Sequence, residues 1–223
     1  TVVHQEATGY VLVGLPDVAV RESKQRVRAA LVNAGFELPK GRVVITLSPM
    51  DLRKEGPAFD LPIALALVGA PLDGTLVIGE LSLSGEVRPA RGVLSIALAL
   101  PEGVKRLVVP WVNAAEAVAG VPAGVEVVAA RTLQQVVRVL EGKDAPEAVF
   151  PPAAGLAPQE VDLHHIRGQV EAVRVLEVAA STGQNLLLVG PPGVGKTLVA
   201  RALHGLLPPL SLAESLEVSR IYS

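Results

Sequence analysis

The residues best suited to chemistry lie at 190–197, Gly190-Pro191-Pro192-Gly193-Val194-Gly195-Lys196-Thr197. They satisfy the pattern G-x-x-x-x-G-K-[ST] at every fixed position. Glycines at 193 and 195 let the backbone curl into a nest of N–H groups facing phosphate oxygens. Pro191 and Pro192 have no N–H, so the useful amides run from Gly193 to Leu198. Lys196 is placed to reach the β- and γ-phosphates, and the Thr197 hydroxyl to hold Mg²⁺. ATP and Mg²⁺ are the expected cofactors, with Lys196 and Thr197 as the expected catalytic residues.

Two elements must flank this loop. Leu186-Leu187-Leu188-Val189 is a short apolar run of the kind a buried parallel strand shows. Apolar side chains at 198, 199, 202, 203 and 206 form a helical stripe after Thr197. A strand feeding a helix N-terminus adds the positive end of the helix dipole to the loop.

Other chemistry is poorly supplied. The sequence has no cysteine, which excludes disulfide partners and thiolate metal sites and suits a reducing, cytoplasmic setting. His164 and His165 are adjacent and point apart on one element, while His4 and His204 lack ligand-spaced partners. No protein-held metal is expected beyond the Mg²⁺ that arrives with nucleotide. Net charge is −2, so any nucleic-acid surface must be a local patch. The longest apolar run, Leu61 to Leu72, is too short for a membrane span and contains Pro62 and Pro71.

In chain order, 9–14 reads as a strand, and a helix runs from Pro16-Asp17 to about Ala34 with Asp17 as N-cap and Gly35 as C-cap. Arg21, Lys24, Arg26 and Arg28 make that helix basic, which reads first as a solvated face. A second strand at 42–48 precedes a charged loop, 51–60, and an apolar helix for which Asp60 is the expected N-cap. Residues 75–87 predict a hairpin turning near Ser84-Gly85. A short helix at 92–100 and a strand at 105–109 follow. Asn113 with Glu116, and Thr132 with Gln135, predict capping boxes on either side of a strand at 125–129. The helix from Thr132 stops at Gly142. Residues 143–160, with Pro146, Pro151, Pro152 and Pro158, read as a linker. The expected division is a first domain at 1–142 and an ATPase portion at 161–223. That portion offers one strand and two helices, too few for a complete P-loop ATPase, so this stretch alone is expected to be inactive.

The whole chain resembles the Mg-chelatase-like AAA+ proteins of the ComM/YifB group. The carrying segments are Val13-Gly14-Leu15-Pro16-Asp17, residues 51–62 (DLRKEGPAFDLP), residues 79–89 (GELSLSGEVRP) and residues 186–197. The resemblance implies an α/β chain. Its first part would be a ribosomal-S5-domain-2-like, Lon-protease-like α+β domain, followed by the beginning of a P-loop AAA+ domain. Ile166-Arg167-Gly168-Gln169 resembles the AAA+ segment beside the adenine, which makes Ile166 a candidate nucleotide contact.

Lon-type peptidases carry a nucleophilic Ser within D-G-P-S-A and a catalytic Lys after Gly-Gly-Leu. At the matching positions stand Ala58, in Glu55-Gly56-Pro57-Ala58, and Leu94, which follows Gly92-Val93. Neither nucleophile nor base is present, so peptide hydrolysis is disfavoured. Ser48, Ser82 and Ser84 sit in no activating context and read as surface or turn serines. In the resembling group, ComM implies a ring-forming, hexameric, ATP-driven motor acting on DNA in natural transformation. Arg53, Lys54, Arg88 and Arg91 flank the vanished dyad and are the candidate DNA contacts. A Mg-chelatase-like or protein-remodelling ATPase is the alternative.

Overall fold

The computed structural model describes residues 9–39, 41–49, 51–149 and 161–222. The chain divides into two compact units, residues 1–152 with 216–223, and residues 153–215.

The first unit opens with a β-α-β crossover. Strand β1 (Gly9–Val13) pairs in parallel with β2 (Arg42–Thr46), Tyr10 lying beside Val43. Helix α1 (Val18–Asn33) connects them. Asp17 starts it, accepting from the Val20 N–H at 2.7 Å. Val20, Val27, Ala30 and Leu31 form its buried stripe. It ends as glycine allows: Gly35 at φ +78° lets the Phe36 N–H reach the Leu31 carbonyl at 2.9 Å and its own N–H the Val32 carbonyl at 3.0 Å.

A 3-10 turn (Pro57–Phe59) leads into α2 (Asp60–Leu67). Then follow β3 (Thr75–Val77), β4 (Glu80–Leu81), β5 (Val87–Arg88), α3 (Val93–Leu98), β6 (Arg106–Pro110), α4 (Ala114–Gly120), β7 (Glu126–Ala130) and α5 (Leu133–Leu140). The second sheet is parallel, in the order β3-β6-β7. Its side chains alternate between two cores. Val108 and Val128 join Leu31, Leu61, Leu65 and Leu133 on one face. Leu107, Val109 and Ala129 join Val93, Ala97 and Ala117 on the other. A parallel sheet apolar on both faces explains the unbroken Leu-Val-Val run of β6.

Four expectations for this unit need correction. The hairpin is confined to β4 and β5, and β3 instead pairs in parallel with β6. The turn near Ser84-Gly85 holds, with the Gly85 N–H bonded to the Ser82 carbonyl at 3.1 Å and the Ser82 and Ser84 hydroxyls 2.8 Å apart. Asp60 does not cap α2; it is wholly buried and accepts two bonds from Arg26, at 2.8 and 3.1 Å. Asn113 does not cap α4 with its side chain; it clamps Ala90, accepting from its N–H at 3.0 Å and donating to its carbonyl at 2.9 Å. Thr132 does cap α5, but the Gln135 side chain accepts from the Arg131 N–H rather than closing the box on Thr132.

Some residues of the stretch read as linker make contacts with the first unit. Asp144 holds Arg138 through two bonds at 2.6 and 2.8 Å, Glu147 lies 3.5 Å from Arg131, and Val149 packs on the second core. Arg131 in turn stacks 4.0 Å above the Trp111 ring.

In the second unit, Asp162 caps a 3-10 turn (Leu163–His165), and its N–H is accepted by His165 Nδ1 at 3.0 Å. Helix α6 (Val170–Thr182) packs on α7 (Lys196–Leu206), burying Leu176, Ala179, Ala180, Val199 and Ala202. Helix α8 (Leu212–Tyr222) follows, beginning in this unit and passing at Leu216 into the residues grouped with the first. Residues 186–189 do not form the expected strand: Leu187 and Val189 are each 85% exposed. A parallel strand exists by bonding to neighbours, and no strand lies among the described residues of 161–222.

Candidate functional site

Gly193 and Gly195 both sit at φ +86°, a conformation other residues rarely take. They bend the chain sharply into α7, whose first helical residue is Lys196. Its first intrahelical bond runs from the Val199 N–H to the Gly195 carbonyl at 3.0 Å. Helix geometry therefore leaves the N–H groups of Lys196, Thr197 and Leu198 without an acceptor in the helix. Lys196 Nζ donates to the Gly190 and Pro191 carbonyls, each at 2.7 Å, across the mouth of the loop. Thr197 is exposed at the same helix start. This is a set of donors with a cation, backed by the helix dipole, and its chemistry fits a polyphosphate.

The loop is braced from α6. Gln169 Nε2 donates to the Val194 carbonyl, and a side chain at position 195 would come within 3.4 Å of that amide nitrogen. Ile166 lies three residues before Gln169, half-buried after the 3-10 turn. Ile166 is, by resemblance, one candidate nucleotide contact beside the loop residues, and Gln169, not among those candidates, is the residue of that tetrapeptide that touches the loop. The signal was its place in the same tetrapeptide, immediately before an apolar helix.

Both positions matched by resemblance to the Lon dyad are packed. Ala58 lies against the second core, and its carbonyl accepts from the Gly79 N–H at 3.1 Å. Leu94 is 2% exposed and approaches α4 so closely that a Cβ on Gly120 would lie 3.0 Å from its Cδ1.

The four basic candidates fall in different settings. Arg53 is exposed, 3.4 Å from Glu55, and lines a cleft of about 440 Å³ with Gly14, Leu15, Pro16, Asp17, Val18 and Arg21. Asp17 in this cleft is held below the ordinary carboxylate range by the N–H groups of Val20 and Gly56. Arg91 is exposed ahead of α3, and Arg88 is exposed on β5 opposite Glu80. Lys54 is not a surface cation: it is 7% exposed and its ammonium donates to the Pro49 and Leu52 carbonyls. A lysine can satisfy three donors on backbone carbonyls, and this one is spent holding its own loop. Among the described residues no cluster of three His, Cys, Asp or Glu could hold a metal, and no helix is long and apolar enough to cross a membrane.

Comparison with known proteins places this geometry in a family. Residues 1–113 match the model for "Subunit ChlI of Mg-chelatase", and residues 162–223 match that for "Magnesium chelatase, subunit ChlI". The chain belongs to the Mg-chelatase ChlI family. Within it, the YifB protein of Salmonella typhimurium is 40% identical over 96% of this chain. The competence protein ComM of Haemophilus influenzae is 39% identical over the same share. These relatives set this ChlI-family chain in the ComM/YifB group. The chain spans 44% of the length of each. A putative Lon protease homolog of Thermoplasma volcanium is 58% identical over 41 residues, 18% of this chain and 8% of that protein. The fold class is α/β with parallel sheets, compatible with a Lon-like first domain, and the family is that of AAA+ ATPases.

Proposed function

We propose that this ChlI-family chain is part of an ATP-hydrolysing AAA+ motor that binds MgATP on residues 190–197, assembles as a hexameric ring in the cytoplasm and acts on DNA. The observation that carries the nucleotide reading is the loop itself: two left-handed glycines, a free first turn of α7 and Lys196 across the mouth. Backbone donors from Gly193 to Leu198 receive the phosphates, Lys196 moves from its two carbonyls to phosphate oxygens, and Ile166 borders the base. The Thr197 hydroxyl would hold Mg²⁺, with phosphate oxygens as its other ligands. When bound, the ion neutralises charge on the β- and γ-oxygens. Leu187 and Val189 are assigned to burial under further strands of the ATPase module, since the chain spans 44% of its relatives' length.

The DNA reading rests on the likeness to competence protein ComM and is expressed as branch migration or unwinding during transformation or recombination. A metal-insertion or protein-remodelling motor is the second reading, favoured by the family models named for Mg-chelatase. ATPase assays of the full-length protein separate the two: stimulation by branched or single-stranded DNA supports the first, and indifference to DNA supports the second. For the nucleotide site, Lys196→Ala removes a charged donor. It should weaken MgATP binding by roughly 10- to 100-fold or more in a calorimetric titration. Unchanged affinity would remove the phosphate-loop assignment.

A further inference from the structure

The central peptide of the loop joins Val194 to Gly195, with Gly193 immediately before it. A planar trans peptide points its C=O and N–H in opposite directions. Such a peptide turns over by rotating ψ of Val194 and φ of Gly195, and the glycine makes either sign of φ accessible at little steric cost. One orientation offers the Gly195 N–H to a bound phosphate; the other offers the Val194 carbonyl, which would repel it. The fold resolves this choice from outside the loop. Gln169 Nε2 donates to the Val194 carbonyl and holds it toward α6. The Gly195 N–H must then face the opposite way. Gln169 is itself fixed, because its backbone carbonyl accepts from the Val173 N–H at 3.0 Å as α6 begins, and α6 packs along α7.

We propose that Gln169 is a positioning residue for the phosphate loop: by pinning the Val194 carbonyl it keeps the Gly195 N–H presented as a phosphate donor, and it links the base-side segment 166–169 to that donor. The inference rests on the nucleotide reading above and deepens it. Gln169 acts on the triphosphate through the loop, so its contribution is the same whether or not a base is attached.

The test uses full-length protein and calorimetric titration with two probes, MgATP and magnesium tripolyphosphate. Lys196→Ala serves as the control and should lose both. Gln169→Ala should weaken both by a similar factor, roughly five- to twentyfold for one hydrogen bond and the freed peptide. Gln169→Glu preserves size and shape. At pH 7.5 its carboxylate cannot donate and repels the Val194 carbonyl, so its loss should equal or exceed that of Gln169→Ala. Partial protonation as the pH falls toward the pKa of an ordinary glutamate, about 4.3, restores an O–H donor in part, and affinity should recover in part relative to wild type at the same pH, whereas Gln169→Ala should show no recovery. Affinity of Gln169→Ala within twofold of wild type, with Lys196→Ala still defective, would overturn the proposal and leave the nucleotide reading standing. Weakening confined to MgATP would also overturn it and assign Gln169 to the base. Normal binding by Lys196→Ala would remove the nucleotide reading and this inference with it.

Discussion

Asp60 shows how residue-scale chemistry can differ from what a local reading assigns. In sequence it stands before an apolar helix, as a cap would. In the fold its carboxylate is wholly buried, grips the Arg26 guanidinium through both oxygens and accepts a weaker bond from the Leu81 N–H at 3.4 Å. Arg26, read from sequence as one of four surface cations on α1, is the inward one and also donates to the Ala19 carbonyl at 3.0 Å. The hydrogen bond to Asp60 holds its guanidinium pKa above the ordinary value. Removing one partner of such a pair strands the other in an apolar surrounding. Arg26→Ala should therefore lower stability by about 3 kcal/mol. The double substitution Arg26→Met with Asp60→Leu should lose much less, because no charge is left buried. Urea unfolding of the wild type and these two variants checks this, and equal losses in the single and double variants would refute it. The pair was not legible because its members lie 34 positions apart, and spacing reveals only neighbours on one helix or strand. The motif from Gly190 to Thr197 could be read because its residues are consecutive, whereas Gln169, 25 positions from Val194, could not be tied to it by spacing.

At the scale of elements, hydrophobic period and punctuation placed α1, α5, β2, β6 and β7 within a few residues. What escaped were decisions taken by tertiary partners. Residues 75–87 alternate in a way that fits a single hairpin, yet β3 is captured by β6. Pro146 and its neighbours look like linker, yet residues 144–149 are tied down by Asp144–Arg138, Glu147–Arg131 and the seat of Val149. Each of these ion pairs is exposed and contributes little alone. Together with the apolar contact they should protect this backbone from a protease, which needs an extended, free segment. Limited proteolysis should therefore spare residues 143–149, so that no early fragment of the unaltered protein ends within them. Replacing Asp144 and Glu147 together by Ala should move early cleavage upstream, toward Gly142. First cleavage within 143–149 of the unaltered protein, read from the fragment masses, would show that the strap does not hold.

Over the whole molecule, the two positions matched to the Lon dyad carry no reacting group, Ala58 lying against a core and Leu94 being buried, and the loops beside them are the place where a binding role would sit. The basic set proposed there must be revised before it is tested. Lys54 is committed to the Pro49 and Leu52 carbonyls, while Arg53, Arg88 and Arg91 remain exposed. Arg53 shares its cleft with Arg21, at the start of the α1 face that continues through exposed Lys24 and Arg28. If these guanidinium groups neutralise phosphates, Arg53→Glu with Arg91→Glu should weaken DNA binding and flatten its salt dependence by roughly one unit of log–log slope per lost contact. The melting temperature should change little, because both side chains are on the surface. Lys54→Glu should behave differently: a carboxylate cannot donate to the two carbonyls, so the loop and the melting temperature should suffer first. Measuring affinity at several salt concentrations, with sedimentation to follow the oligomer, separates the outcomes. Unaltered DNA affinity with loss of the assembled ring would assign this face to subunit contact. A lowered melting temperature in Arg53→Glu/Arg91→Glu, with an unchanged salt slope, would mean that these arginines serve the fold and not a polyanion.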